Sequence, residues 1–348
     1  MDTLTHALLG GTIGATVLGR RLGWRAAVWG GVAAAVPDLD ILPVLLSDPI
    51  SEWRLHRGAT HSFIVATLAA PLFGWIAARR APETGRRRAW RDWGLLWLLG
   101  LCSHIILDVM TSYGTQILWP LSPFRAAWHV IPVIDPLYSV LVLLPFLAGM
   151  LLARHWRLVR GLGIAFLALS TLYLFVAGAM NNTARVIAAR MLDERGVRVA
   201  RLMAYPVLFT PYFQRIYAEE AGTGRRWVGA VDLGDVKQSR LDVVEPAAGA
   251  GVPALLQTAE GRLLAWFSDG AFAVRRVQEG GKAYLEMNDL RYGSPEAPGL
   301  GIWGLRVAVD GEGRLSGPVR HFSRRAALYS QGLRRLAMRS FEFVRRMF

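Results

Sequence analysis

The sequence predicts an α-helical polytopic membrane domain followed by a C-terminal, mostly β soluble domain. Three observations predict it. Mean hydropathy is positive at +0.30, and 53% of the 348 residues are hydrophobic, high for a water-soluble chain. Long apolar runs fill residues 1–180 and then stop. Beyond that point, short β-rich stretches alternate with Gly, Pro and Asp.

About six apolar runs are expected as helices: 4–19, 26–46, 62–78, 93–109, 134–153 and 161–180. A span needs ~20 residues, so the shorter runs call for tilt, local thinning or re-entrance. The first run is short, and its Gly10, Gly11, Gly14 and Gly19 suit close helix packing. Residues 181–322 then read as a soluble antiparallel β domain. Its expected strands are RWVGAVDL, RLLAWFS, AFAVRRV, AYLEMNDLRY and IWGLRVAVD, with 240–260 as loop. Residues 323–348 mix arginine pairs with Leu, Met and Phe and read as a basic amphipathic helix.

Composition also excludes. Cys102 is the single cysteine, which rules out an intrachain disulfide and a four-cysteine zinc site. The net charge of +14 is almost all arginine flanking apolar runs, which suits an anionic membrane surface. No zinc finger, aromatic RNA-binding motif or basic zipper is present, so no nucleic-acid partner is expected. The start, MDTLTHALLGG, lacks the basic region of a cleavable signal peptide.

Three linkers carry the arginines: 20, 21 and 25; 79, 80, 86–88 and 91; 154, 157 and 160. They follow runs one, three and five. Because Lys and Arg favour the cytoplasmic side, six alternating spans place all three linkers inside and the C-terminal domain outside. The titratable residues then gather at the outer side: His6; Asp38 and Asp40 in VPDLD; His56, Arg57 and His61 in HRGATHSF; His104 and Asp108; and Asp135.

Such groups cost several kcal/mol each near hydrocarbon when unpaired, and a metal ion removes the cost. His104 and Asp108 are spaced i, i+4 and share a helix face. Asp38 and Asp40 follow Pro37, which points to a turn presenting both carboxylates. Read singly, each motif has an ordinary explanation: a hydrogen-bonded helix pair, a capping Asp, a structural His. Together they point to a site with His6, Asp38, Asp40, His61, His104 and Asp108 as metal ligands. Asp40, His56 and Arg57 are the candidate catalytic groups. Mixed His and Asp donors suit Zn²⁺, with Mn²⁺ or Fe²⁺ as alternatives, and two ions are expected. Arg57 reads either as a phosphate contact or as a headgroup anchor, and Arg125 as an anchor. Ser62 and Thr60 read as helix caps. His129 falls in a linker of undefined register, and His155 and His321 lie among basic residues away from the cluster.

MDTLTHALLGG, VPDLD, HRGATHS, HIILDVMTSYGTQILWP and IDPLY, in this order and spacing, resemble the bacterial and archaeal inner-membrane metal-dependent hydrolases. Some members of that family carry a LexA-binding or LexA-regulated label. The likeness covers about residues 1–180. It implies the inner membrane as location and hydrolysis as reaction class, and no substrate. The family's His and Asp positions correspond to His6, Asp38, Asp40, His56, His61, His104 and Asp108. Taken with the residues, it implies a metal-activated water acting on a phosphoester of a lipid or lipid-linked substrate. The alternative is a non-enzymatic membrane regulator or scaffold with a structural metal.

Overall fold

A computed structural model describes residues 1–324, apart from 47, 80, 81, 209, 294–296 and 298. The amphipathic helix expected over 323–348 lies, from residue 325 onward, outside the described residues. The chain divides into two compact units, Met1–Gly178 and the residues from Ala179 onward.

In the first unit, Asp2 accepts a hydrogen bond from the Thr5 amide and so starts α1 (Thr3–Leu22). Helix α2 (Arg25–Ala35) folds back along it. Their approach is set by glycine: a Cβ on Gly10 would lie 2.3 Å from Ala34 Cβ and 2.5 Å from the Gly30 carbonyl oxygen. Glycine therefore lets the two backbones touch, as small residues do in membrane bundles. At Pro37 the α-helix gives way to a 3-10 segment, Val36–Asp40, before α3 (Ile41–Leu45). The short α4 (Glu52–Leu55) leads into a second 3-10 turn, Ala59–His61. Ser62 caps α5 (Phe63–Ala78) by accepting from the Ile64 amide, as expected. Helix α6 (Arg86–Val109), α7 (Pro136–Leu151) and α8 (Trp156–Asp193) complete the helical set. Asp135 caps α7, accepting from the Tyr138 amide.

Among the described residues, three stretches are long and apolar enough to cross a membrane: Arg25–Val44, Glu83–Val109 and Ala153–Asp193. A fourth arises if Pro49–His61 and α5, which meet at a 53° bend, form one broken span. Among the described residues, α7 is a shorter apolar helix of 16 residues. Leu68, Leu151 and Phe175 are each more than 70% exposed, an arrangement stable against lipid and costly in water.

The second unit is built from two antiparallel four-stranded meanders. One is β1 (Val199–Val207), β2 (Thr210–Glu220), β3 (Arg226–Asp232) and β4 (Arg240–Val244), in that order. The other is β5 (Phe272–Glu279), β6 (Lys282–Asp289), β7 (Trp303–Val309) and β8 (Arg320–Ser323). Ala184, Ala188 and Leu192, at helical spacing on the end of α8, pack on Ala204, Ile216 and Val231 of the first sheet. This explains why α8 runs thirteen residues past the expected boundary at 180: a polar-looking segment holds a narrow apolar stripe. RLLAWFS, expected as a strand, belongs instead to helix α10 (Ala259–Phe267). Thr258 caps that helix, and Gly261, Leu264 and Phe267 are buried every third residue. The 240–260 segment, expected as loop, holds β4 and the short helix α9 (Gly251–Gln257).

Candidate metal centre

Both breaks in α-helical structure deliver side chains to one point. The 3-10 segment around Pro37 supplies Asp38, with Asp40 beside the point, and the turn before α5 supplies His61. Helix α6 adds His104 and Asp108 from one face. Non-helical backbone at membrane depth is tolerated where it lines such a cluster.

Asp38, His61, His104 and Asp108 form one group whose donor atoms all lie within 4.8 Å of one another. His61 Nε2 lies 2.8 Å from His104 Nε2. Asp108 Oδ2 is 3.2 Å from His61 Nε2 and 3.5 Å from His104 Nε2. Asp38 Oδ1 is 3.6 Å from each ring nitrogen. The rings are held from behind. His104 Nδ1 donates to the Ala34 carbonyl at 2.6 Å. The Thr60 hydroxyl donates to Asp40 Oδ2 at 2.8 Å and accepts from His61 Nδ1 at 2.9 Å. With both Nδ1 atoms committed as donors, both Nε2 atoms present lone pairs to each other. Two facing lone pairs repel unless a cation or proton lies between them.

The donor set fits a divalent cation. Tetrahedral Zn²⁺ with bonds near 2.1 Å puts its ligand atoms roughly 3.4 Å apart, close to the separations above. Asp40 backs His61 in the carboxylate–histidine manner common behind metal ligands.

The remaining expected residues sit around this group. His6 is fully buried, stacks on His104 at 3.7 Å between centroids, and has its Nε2 3.1 Å from Asp108 Oδ1. Its Nδ1 has no hydrogen-bond partner among the described residues. Asp40 faces His56 rather than the four-donor group, with His56 Nδ1 2.7 Å from its Oδ1. Arg57 is buried, its guanidinium 2.9 Å from Asp108 Oδ1 and 2.8 Å from Thr111 Oγ1. Its φ of 62° lies in the left-handed region, which costs a non-glycine residue about 1–2 kcal/mol. That conformation lets its amide donate to Asp40 while its side chain reaches Asp108. Arg57 thus ties the two halves of the site together, a role neither of its expected readings described. Arg125 donates to the Trp53, Tyr113 and Gly114 carbonyls and fastens loops. His129, His155 and His321 are not part of the four-donor group.

Sequence reasoning did not single out Thr3, which donates to Asp38 Oδ2 at 2.6 Å, or the Met1 amino group, which contacts Asp108 Oδ1. Thr60 was expected as a cap and instead bridges Asp40 and His61. No local pattern marks these roles, since Thr3–Asp38, Met1–Asp108 and Thr60–Asp40 each join segments distant in the chain.

The model of the YdjM inner membrane protein family matches residues 1–184, more than half of the chain and every residue of the cluster. The chain belongs to this family. The membership agrees with the motif resemblance and makes this YdjM-family chain an inner-membrane-type protein. It is 33% identical over 134 residues to inner membrane protein YbcI of Escherichia coli strain K12, covering 37% of this chain and 75% of the relative. It is 28% identical over 186 residues to uncharacterized protein YfhP of Bacillus subtilis strain 168, covering 51% of this chain and 52% of that relative. No solved structure matches the chain.

Proposed function

We propose that this YdjM-family chain is a membrane-bound metal-dependent hydrolase acting on a phosphoester of a lipid or lipid-linked substrate. The observation that carries the reading is the convergence of two tautomer-fixed imidazoles and two carboxylates, drawn from three separate segments, on one buried point. When bound there, a divalent ion such as Zn²⁺ supplies an acidified water and charge stabilisation for a phosphoryl oxygen.

The chain's own groups have distinct tasks. Asp38, His61, His104 and Asp108 hold the cation. Asp40 fixes His61 and, with His56 at 2.7 Å, forms a carboxylate–imidazole pair able to take up or give a proton. Arg57 offsets the charge of Asp108 and adds positive potential for a phosphate. His6, with an uncommitted Nδ1, serves a second ion or a proton relay. The six-span topology with an outward site and an extracytoplasmic C-terminal domain belongs to this proposal. A substrate with an apolar tail and polar head suits such an interface.

The test is metal analysis of detergent-purified protein beside His104→Ala and Asp108→Ala, with phospholipid and prenyl-phosphate hydrolysis assayed in parallel. Wild type carries stoichiometric metal and releases product, and both variants lose both. Full metal content in both variants sinks the site. A second reading has its own support, because four protein donors are also the closed set of a structural site. Metal without hydrolysis of any lipid phosphoester, together with a cytoplasmic reporter signal at residue 348, favours that regulator or scaffold reading.

A further inference from the structure

We propose that the cleft at the arginine-bearing end of the N-terminal helices binds the headgroup of an anionic phospholipid, at a site separate from the His and Asp cluster. The cleft has a volume of about 750 Å³ and lies between the end of α1 and the starts of α6 and α8. At about 1.5 Å per residue, α1 carries Arg20 on the order of 20 Å from His6. Helix α6 likewise separates Asp92, in the cleft, from His104 in the cluster. The two sites therefore occupy opposite ends of the same helices.

Four arginines line the cleft, Arg20, Arg21, Arg88 and Arg160, against one carboxylate, Asp92. Asp92 is committed to Arg21 at 2.5 Å. Among the described residues no carboxylate pairs with Arg20, Arg88 or Arg160, so three guanidiniums face the cleft without a counter-ion. Arg20 is steadied by Trp156, whose ring centre lies 5.2 Å from the guanidinium. Guanidinium forks match phosphate oxygens, and a cluster drawn from three helices can surround one phosphate.

The walls select an amphiphile over a free phosphate. Val17 and Leu95 line the cleft and are 52% and 40% exposed, an apolar strip that an acyl chain covers and a soluble phosphate leaves wet. Trp93 and Trp156 also line the cleft, and indoles favour the membrane interface. Helices α6 and α8 both belong to stretches long and apolar enough to span, so their arginine-bearing ends sit at headgroup height.

The experiment places full-length protein in nanodiscs of equal phosphatidylglycerol and phosphatidylcholine and counts the retained lipids by native mass spectrometry after extraction. Wild type retains phosphatidylglycerol preferentially. The variant R20Q/R88Q/R160Q loses that preference by roughly tenfold, while R20K/R88K/R160K, which keeps the charges, holds most of it. A glutamine variant that retains phosphatidylglycerol as wild type does overturns the proposal. So does displacement of the retained lipid by inorganic phosphate at matched concentration, which assigns the cleft to a soluble ligand.

Discussion

Each unit buries a carboxylate beside an arginine, and the two carboxylates differ in what is left over. In the second unit, Asp289 is fully buried and Arg291 lies 2.7 Å away. Its Oδ1 accepts from the Arg291 amide and Nε, and its Oδ2 from Arg291 Nη2 and from Trp303 Nε1 at 3.0 Å. Every lone pair of consequence is used. In the first unit, Asp108 is equally buried and Arg57 lies 2.9 Å away. Its Oδ1 is engaged, but its Oδ2 has no hydrogen-bond donor among the described residues and faces two imidazole nitrogens. A buried ion pair alone marks nothing about function, since structural pairs are built the same way. What separates a site from a strut is donor capacity that the protein itself leaves unspent.

Substitution at the two carboxylates sharpens this contrast most. Asp108→Asn abolishes stoichiometric metal binding, because the cluster loses a charged ligand. Asp289→Asn leaves metal content at the wild-type level but strands Arg291, lowering stability by about 3–5 kcal/mol in a detergent thermal melt. Equal metal loss in both variants would break the comparison.

A smaller effect is expected one step behind the ligands. Asp40→Asn keeps the four donors but weakens the hold on His61, reducing metal affinity ~10–100-fold in a chelator competition titration. Unchanged affinity would mean that Thr60 alone orients the ring.

The smallest effect tests the scaffold. Gly10→Ala forces a methyl against Ala34 and the Gly30 carbonyl, and overpacking of this kind costs about 1–3 kcal/mol. Thermal melting should register it, with at most a small fall in metal affinity, carried through Ala34, whose carbonyl accepts from His104 Nδ1.

Much of the molecule was legible in residue pattern. Hydropathy marked the helical half, and short β-rich stretches bounded by Gly, Pro and Asp marked β3, β5, β6 and β7. The i, i+4 spacing of His104 and Asp108 placed both on one face of α6. Legibility failed where a segment's character depends on its neighbour. RLLAWFS has Trp266 and Phe267 as strand formers, yet its Arg, Leu and Ala residues, the Thr258 cap and a three-residue burial period make it helical. The last turns of α8 look polar until the sheet that covers Ala184, Ala188 and Leu192 is in place.

By itself, the sequence determined that this is an apolar helical chain with a β-rich sequel, and that most His and Asp residues of the helical half fall in a few motifs. Those properties are local: they follow from side-chain chemistry and from periods of 3.6 and 2. Only the tertiary structure decided that Asp38, His61, His104 and Asp108 share one point while Asp40 turns to His56. It alone bound Arg57 to Asp108 and brought Arg20, Arg88 and Arg160 around one cleft. Each of those outcomes joins residues far apart in the chain, and such distances are set by how helices pack, through contacts such as Gly10 on Gly30 that no single segment encodes.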